Sequence, residues 1–68
     1  MENDLNVWRA KEDITQGELA EEVGVSRQTI NALERERYDP SLELAFKLAE
    51  YFECSIEDIF TYHESDDR

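Results

Sequence analysis

Apolar residues recur along this chain at helical spacing, separated by short polar stretches that carry turn-forming residues. Residues three or four positions apart share one face of a helix, whereas alternate residues share one face of a strand. Three stretches fit the helical spacing: Leu19, Ala20 and Val23; Ile30 and Leu33; and Ala45, Leu48, Ala49 and Phe52. The pattern therefore predicts an all-α fold with its core between these apolar stripes.

The stretch from residue 15 to residue 35 carries the signals of two short helices joined by a tight turn. Thr15 and Glu18 have the spacing of a capping box, which begins a helix. Gly24 ends this helix, because glycine readily adopts the left-handed backbone of a sharp turn, and Ser26 caps the next helix. This combination predicts a helix-turn-helix motif.

Two longer helices are expected on either side of this motif. The first begins near Asn3 or Asp4 and ends at about Glu12. After the motif, Pro40 breaks the helical pattern because proline disfavours helix in the residue before it. Ser41 then caps a fourth helix, whose apolar stripe marks it as a core helix.

The chain after the fourth helix is expected to form a short helix and then a strand. Ser55 and Asp58 have capping spacing and open a fifth helix over Ile56 to Phe60, and Thr61 to His63 continue as an extended strand. A small core cannot fully cover the aromatic residues in this half of the chain, so residues 52 to 63 are expected to form a dimer contact. The predicted contact residues are Phe52, Ile56, Ile59, Phe60 and Tyr62.

The two ends of the chain are polar. Met1 to Asp4 lacks strand character, which argues against a small sheet between it and Tyr62. The stretch from Glu64 to Arg68 is expected to be loosely ordered. The 68 residues are thus predicted to form a single domain, with a core small enough to favour association.

The second helix of the motif turns a polar stripe outward when Ile30 and Leu33 face the core. Arginine can bond to the N7 and O6 atoms of guanine, glutamine or asparagine to the N7 and N6 atoms of adenine, and alanine can contact the methyl group of thymine. An ordinary solvated helix face is the alternative interpretation. The predicted base-reading residues are Arg27, Gln28, Asn31 and Ala32.

The net charge of −11 would repel a polyanion if it were spread evenly along the chain. Residues 23 to 33 contain no acidic residue, however, and residues 27 to 38 hold three arginines and two glutamates. The charge pattern therefore predicts a neutral-to-basic face on an acidic body. Such an acidic body is typical of proteins from salt-accumulating organisms, and also occurs in ordinary acidic soluble proteins.

The composition gives little support to other classes of function. An enzyme needs clustered nucleophiles, bases or metal ligands, whereas this chain has one histidine, one cysteine and no glycine-rich phosphate loop. We therefore expect no catalytic residue, no metal and no cofactor. There is neither a signal peptide nor an apolar run of about 20 residues, so a cytoplasmic protein without membrane contact is expected.

The chain resembles the Cro/repressor helix-turn-helix family, also called the xenobiotic-response-element family, from about Leu5 to Tyr62. The ending Ile56 to Phe60 is similar to that of small stand-alone members. The residues that carry the resemblance are Gln16, Leu19, Ala20, Gly24, Val25, Ser26, Ile30, Leu33, Glu34, Tyr38, Pro40 and Ser41.

The resemblance implies a five-helix fold that binds operator DNA as a homodimer. It implies that Gln16 contacts phosphate, that Arg35 and Arg37 lie beside the DNA backbone, and that bases are approached by Arg27, Gln28 and Ala32. It also implies an ion pair between Arg9 and Glu34, which either orients the DNA-binding helix or is a plain structural bridge.

Two positions depart from the family pattern. Glu36 stands where many members have glycine after the third helix, so we expect this helix to end differently or its last turn to reach further. Gly17 lies in the first turn of the second helix, where glycine lowers helix stability. It either allows close approach of the DNA backbone or is a tolerated surface residue.

Together these features predict a sequence-specific DNA-binding transcriptional regulator, a repressor that binds a palindromic operator as a homodimer with its third helix in the major groove. Hydroxyl, amide and phenol groups, namely Thr15, Gln16, Ser26, Thr29 and Tyr38, would fix its register on phosphates. The alternative is an antitoxin-like or adaptor module that uses the same fold to bind proteins. The acid-free stretch from Val23 to Leu33 favours DNA.

Overall fold

The computed structural model describes residues 1–63, which form five helices and two short strands. The helices are α1 (Leu5–Glu12), α2 (Gln16–Val23), α3 (Arg27–Glu34), α4 (Leu42–Phe52) and α5 (Ile56–Ile59). The strands are β1 (Glu2–Asn3) and β2 (Phe60–Thr61). The predicted five-helix, all-α domain is confirmed, and the tail from Glu64 to Arg68 lies outside the described residues.

The predicted capping residues fix the helix starts. Thr15 Oγ1 accepts a hydrogen bond from the Glu18 amide at 3.0 Å, and the Glu18 carboxylate accepts one from the Thr15 amide at 2.8 Å. Ser26 and Ser41 cap α3 and α4 through their hydroxyl groups, and a second capping box opens α5. These bonds satisfy backbone N–H groups that have no partner inside the helix.

Three helix ends are strained in a way that the sequence does not reveal. Gly24 closes α2 with a φ of 76°, as predicted, but Asp13, Glu36 and Glu53 also have positive φ values, 56°, 61° and 58°. These residues follow α1, α3 and α4. Left-handed backbone suits glycine and is unfavourable for residues with a Cβ atom. An acidic side chain also meets the negative end of the helix dipole there.

The core lies where α2 packs against both α3 and α4, while α1 contacts α3 and α5 contacts α4. Every helix contributes to it, since the largest fully buried side chains are Leu5, Leu19, Ile30, Leu33, Leu48 and Ile59. The three predicted apolar stripes are all buried, which confirms the helical spacing. Because α3 is held through one apolar side, its polar side remains free for contact with a partner.

The prediction against a sheet at the start of the chain is wrong. β1 pairs antiparallel with β2, and Asn3 lies opposite Phe60. Phe60 therefore belongs to a strand rather than to the fifth helix, and this strand ends at Thr61 instead of His63. The Asp4 amide extends the pairing by donating to the Ile59 carbonyl oxygen at 2.8 Å. Strand pairing uses backbone groups, so a polar segment can form it wherever the fold brings a second segment alongside.

Candidate nucleic-acid interface

α3 carries the four predicted base-reading side chains on a surface that is turned away from the core. Ile30 and Leu33 anchor the helix because both are fully buried. The polar side chains are exposed in the first turn of α3 and half-buried in its middle. We call this surface the α3 face; it consists of Arg27, Gln28, Asn31 and Ala32.

Gln16, the first residue of α2, links the two helices of the motif. Its Nε2 atom donates to Glu34 Oε1 at 3.0 Å. Its Oε1 atom accepts from Arg27 Nη1 and from Asn31 Nδ2, both at 3.5 Å. The structure thus joins three of the predicted DNA-contact residues through one side-chain amide. Long bonds of this kind hold side chains weakly, so Arg27 and Asn31 can still exchange them for a ligand.

The expected ion pair between Arg9 and Glu34 is present and ties α1 to the end of α3. It is bidentate, with Arg9 Nε at 2.7 Å from Glu34 Oε2 and Arg9 Nη2 at 3.1 Å from Glu34 Oε1. Arg9 Nη1 also donates to the Ile14 carbonyl oxygen at 3.0 Å. The hydrogen bond to Glu34 raises the pKa of Arg9, against the opposing effect of burial. The same carboxylate holds Gln16, so the ion pair supports the α3 face as well as the core.

The predicted phosphate-contact residues lie in α2, in α3 and in the segments next to these two helices. Ser26 and Thr29 lie at the start of α3 with their hydroxyl oxygens 3.0 Å apart. The backbone N–H groups of a helix start attract anions, so the two hydroxyls lie beside groups that favour negative charge. Across the whole set, the exposed residues are Thr15, Ser26, Arg35, Arg37 and Tyr38, and the half-buried ones are Gln16 and Thr29.

The end of α3 does not differ from a glycine-closed helix, contrary to expectation. The Arg37 amide donates to the Ala32 carbonyl oxygen and the Glu36 amide to the Leu33 carbonyl oxygen, both at 3.0 Å. These two bonds, together with the positive φ of Glu36, form the Schellman arrangement, in which glycine is the usual residue. Glu36 adopts the same backbone at the expense of strain, and in sequence it stands between two exposed arginines, Arg35 and Arg37.

Gly17 has room for a larger side chain. A Cβ atom added at Gly17 would lie 3.7 Å from Arg27 Cδ and 3.9 Å from Thr15 Oγ1, which are ordinary contact distances. The protein's own packing therefore does not require glycine here. Both interpretations of this residue, close approach of a DNA backbone and simple tolerance, stay open.

An apolar surface lies at α4, α5 and the segment that follows β2. Phe46 is 59% exposed and Tyr62 is 73% exposed, and half-buried Ile56 lies with them around a groove of about 530 Å³. We call the surface formed by Phe46, Ile56 and Tyr62 the apolar surface. Exposed apolar patches of this kind mark interaction sites.

The predicted dimer-contact residues fall into two groups. Ile56 and Tyr62 belong to the apolar surface, whereas Phe52, Ile59 and Phe60 are buried within the protomer. Phe46 was not among the predicted contact residues. The sequence nevertheless contains a signal for it: Phe46 and Leu42 are four residues apart and share a side of α4 that lies outside the buried stripe, and both are exposed.

The surroundings of Cys54 disfavour its thiolate form. Burial raises the pKa of the Cys54 thiol, with a further increase from Asp58 and a decrease from Lys11. A thiol that keeps its proton is a poor nucleophile. His63 Nε2 lies 2.6 Å from Glu2 Oε1, close to the sheet.

Within residues 1–63, none of the helices combines the length and apolar composition required to cross a membrane.

Several known proteins similar to this chain are named HTH-type transcriptional regulators. A family model described as "Helix-turn-helix" matches residues 7–59. An uncharacterized HTH-type transcriptional regulator of Methanocaldococcus jannaschii is 53% identical over 66 residues, covering 97% of this chain and 100% of that protein. Another from Archaeoglobus fulgidus is 48% identical over 66 residues, covering 97% and 93%. One from Bacillus subtilis is 42% identical over 64 residues, covering 94% and 97%.

Proposed function

This chain belongs to the helix-turn-helix family, and from that premise we propose that it is a sequence-specific DNA-binding regulator of transcription that acts as a repressor. The observation that carries the proposal is the α3 face, an acid-free row of base-reading residue types on the outer side of a helix whose other side is anchored in the core. Relatives named HTH-type transcriptional regulators support it.

In the proposed mechanism, α3 enters the major groove of DNA. Arg27 and Gln28 reach base edges first, because they are exposed in the first turn of α3, and Asn31 and Ala32 follow in its middle. The predicted phosphate-contact residues hold the DNA backbone and fix the register: Thr15, Gln16, Ser26, Thr29, Arg35, Arg37 and Tyr38. The Arg9–Glu34 ion pair keeps Gln16 in place, so we propose that it orients the α3 face and is not a plain structural bridge.

We propose that two protomers pair through the apolar surface. A dimer would cover Phe46, Ile56 and Tyr62, which water otherwise surrounds. Two-fold symmetry places two copies of α3 in successive major grooves, about 34 Å apart, so the operator is palindromic. Repression would follow because a protein bound across a promoter excludes other proteins from it.

The proposed function is tested by fluorescence anisotropy with a duplex from the gene's own upstream region and a scrambled duplex, across a series of salt concentrations. Arg27→Ala and Gln28→Ala should each weaken binding to the upstream duplex by about 1–3 kcal/mol and bring it closer to binding of the scrambled duplex. Lys47→Ala is the matched control, because it removes one exposed positive charge on α4.

Two outcomes are distinguishable. Selective loss of binding to the upstream duplex in the two α3 variants, with little change of binding in Lys47→Ala, supports a sequence-reading regulator. Equal and weak binding of both duplexes, unaffected by any substitution, contradicts it and favours the alternative of an antitoxin-like or adaptor module that binds a protein through the apolar surface.

A further inference from the structure

The side chain of Asn3 joins the start of the chain to the end of α3. Its Nδ2 atom donates to the Leu33 carbonyl oxygen at 2.8 Å and to the Met1 carbonyl oxygen at 3.0 Å. Its Oδ1 atom accepts from the Leu5 amide at 3.1 Å. Both ends of the amide are therefore used, which fixes its orientation, and the contact with Leu33 spans 30 positions in sequence.

The Leu33 carbonyl oxygen belongs to the strained end of α3. It also accepts the hydrogen bond from the Glu36 amide that forms half of the Schellman arrangement. Because Glu36 adopts a backbone that suits glycine, this end would open more readily than one closed by glycine. The bond from Asn3 is an additional anchor at this point, supplied from outside the helix.

The sheet holds Asn3 in place. Asn3 lies opposite Phe60 in the pairing of β1 with β2, and the neighbouring Asp4 amide donates to the Ile59 carbonyl oxygen. Phe60 and Ile59 are buried, so this side of the sheet is attached to the core. The position of the Asn3 amide is thus set by the C-terminal segment of the chain and not by its own neighbours alone.

We infer that Asn3 is a positioning residue for DNA binding, which fixes the end of α3 and thereby the directions of Arg35 and Arg37. This inference rests on the proposed function. Arg35 directly follows the last residue of the helix and the Arg37 amide bonds back to Ala32, so both backbone positions depend on the closure that Asn3 supports. Asn3 touches no DNA in this arrangement; it acts through the two arginines.

The first test uses hydrogen exchange in the free protein. Asn3→Asp keeps the acceptor for the Leu5 amide and loses the donor to Leu33, while Asn3→Ala loses both. Both variants should reduce protection of the Glu36 and Arg37 amides by about tenfold relative to the Leu48 amide in the core, since opening there is local. Asn6→Ala, an exposed asparagine in α1, is the matched control and should leave this ratio unchanged.

The second test measures DNA binding in a double-mutant cycle. Asn3→Ala should weaken binding to the specific duplex about fivefold and lower the dependence on salt, because phosphate contacts are lost. The same substitution should have little effect in a chain that already carries Arg35→Ala and Arg37→Ala. An equal loss in both backgrounds, or unchanged protection at Glu36 and Arg37, would overturn the inference. If the unmodified protein binds no DNA, the proposed function is wrong. The protection ratio is measured without DNA, so it tests the effect of Asn3 on the end of α3 separately.

Discussion

The α3 face and the apolar surface are built in opposite ways. The α3 face lies on a single helix and is mainly polar, and Gln16 holds two of its side chains, Arg27 and Asn31, through long hydrogen bonds. The apolar surface draws on α4, α5 and the residue after β2, and its two aromatic side chains are more than half exposed. A polar row on a core-anchored helix suits the reading of a fixed hydrogen-bond pattern, whereas an uncovered apolar patch suits pairing driven by removal of water. The proposed division of labour, reading by one surface and pairing by the other, follows from this contrast.

The largest effect is expected when the apolar surface is made charged. Phe46→Glu should destabilise the proposed dimer, which would contain two copies of the substitution. The expected cost is about 2 kcal/mol for each copy, or roughly a thousand-fold increase in the dimer dissociation constant. Binding to a full palindrome should weaken, while binding to a single half-site should not change. Sedimentation velocity and anisotropy would measure both effects.

A matched control for this change is Val7→Glu, which introduces the same charge at an exposed apolar residue of α1 outside the apolar surface. It should leave the dimer intact. A monomeric wild-type protein at micromolar concentration, or equal effects of the two substitutions, would remove the apolar surface from the proposed function.

The second effect compares two glutamates that lie close together. Glu34→Gln removes the charge that holds Arg9 and Gln16, so it should lower the free energy of unfolding by about 1.5–3 kcal/mol and weaken DNA binding. Glu36→Gln makes the same change of charge at an exposed residue. It should change stability by less than about 0.5 kcal/mol and strengthen DNA binding slightly.

Thermal unfolding and anisotropy on the two variants would show whether Glu34 affects DNA binding by orienting the α3 face or only through its negative charge. If charge alone controlled the α3 face, both substitutions would strengthen DNA binding. Weaker binding in Glu34→Gln alone would show that the ion pair orients the α3 face. It would also show that this orientation favours DNA binding by more than the negative charge of Glu34 disfavours it.

A third and smaller effect concerns the strained end of α3. Glu36→Gly should raise the free energy of unfolding by about 0.5–1 kcal/mol, because glycine adopts a positive φ without strain. Gly24→Ala should act in the opposite direction by a similar amount. No atom lies within 4 Å of a Cβ built at Gly24, so its cost would come from backbone conformation rather than from a clash. Urea denaturation would measure both; a loss of stability in Glu36→Gly would contradict the strain assigned to Glu36.

The smallest effect is a dependence of stability on pH at Cys54, which lines the groove of the apolar surface. Its pKa in the folded protein is raised above the ordinary value of 9.0, so the folded state binds the proton more tightly than the unfolded state. This contribution is complete below pH 9.0 and is lost as the pH rises through the folded pKa. The wild type should therefore lose slightly more stability than Cys54→Ala above pH 9.0, and parallel curves would contradict the direction of the shift.

Several parts of the candidate site could be predicted because they depend on short stretches of sequence. The capping spacing of Thr15 and Glu18 and the glycine at position 24 were enough to place the motif. The tertiary positions of Phe46 and Asn3 were harder to predict. Phe46 required knowledge of which side of α4 the other helices cover, and the partner of Asn3 is 30 residues away.

The sequence by itself determined the helices, their starts and the polar stripe of α3, because caps, turns and a helical repeat act over only a few residues. The tertiary structure alone decided the sheet between β1 and β2, the bond from Asn3 to Leu33, the sharing of the Glu34 carboxylate between Arg9 and Gln16, and the positive φ of Glu36. These features join distant segments, or impose strain that local preference disfavours. They form because burial of the common core brings the segments together and offsets the local cost.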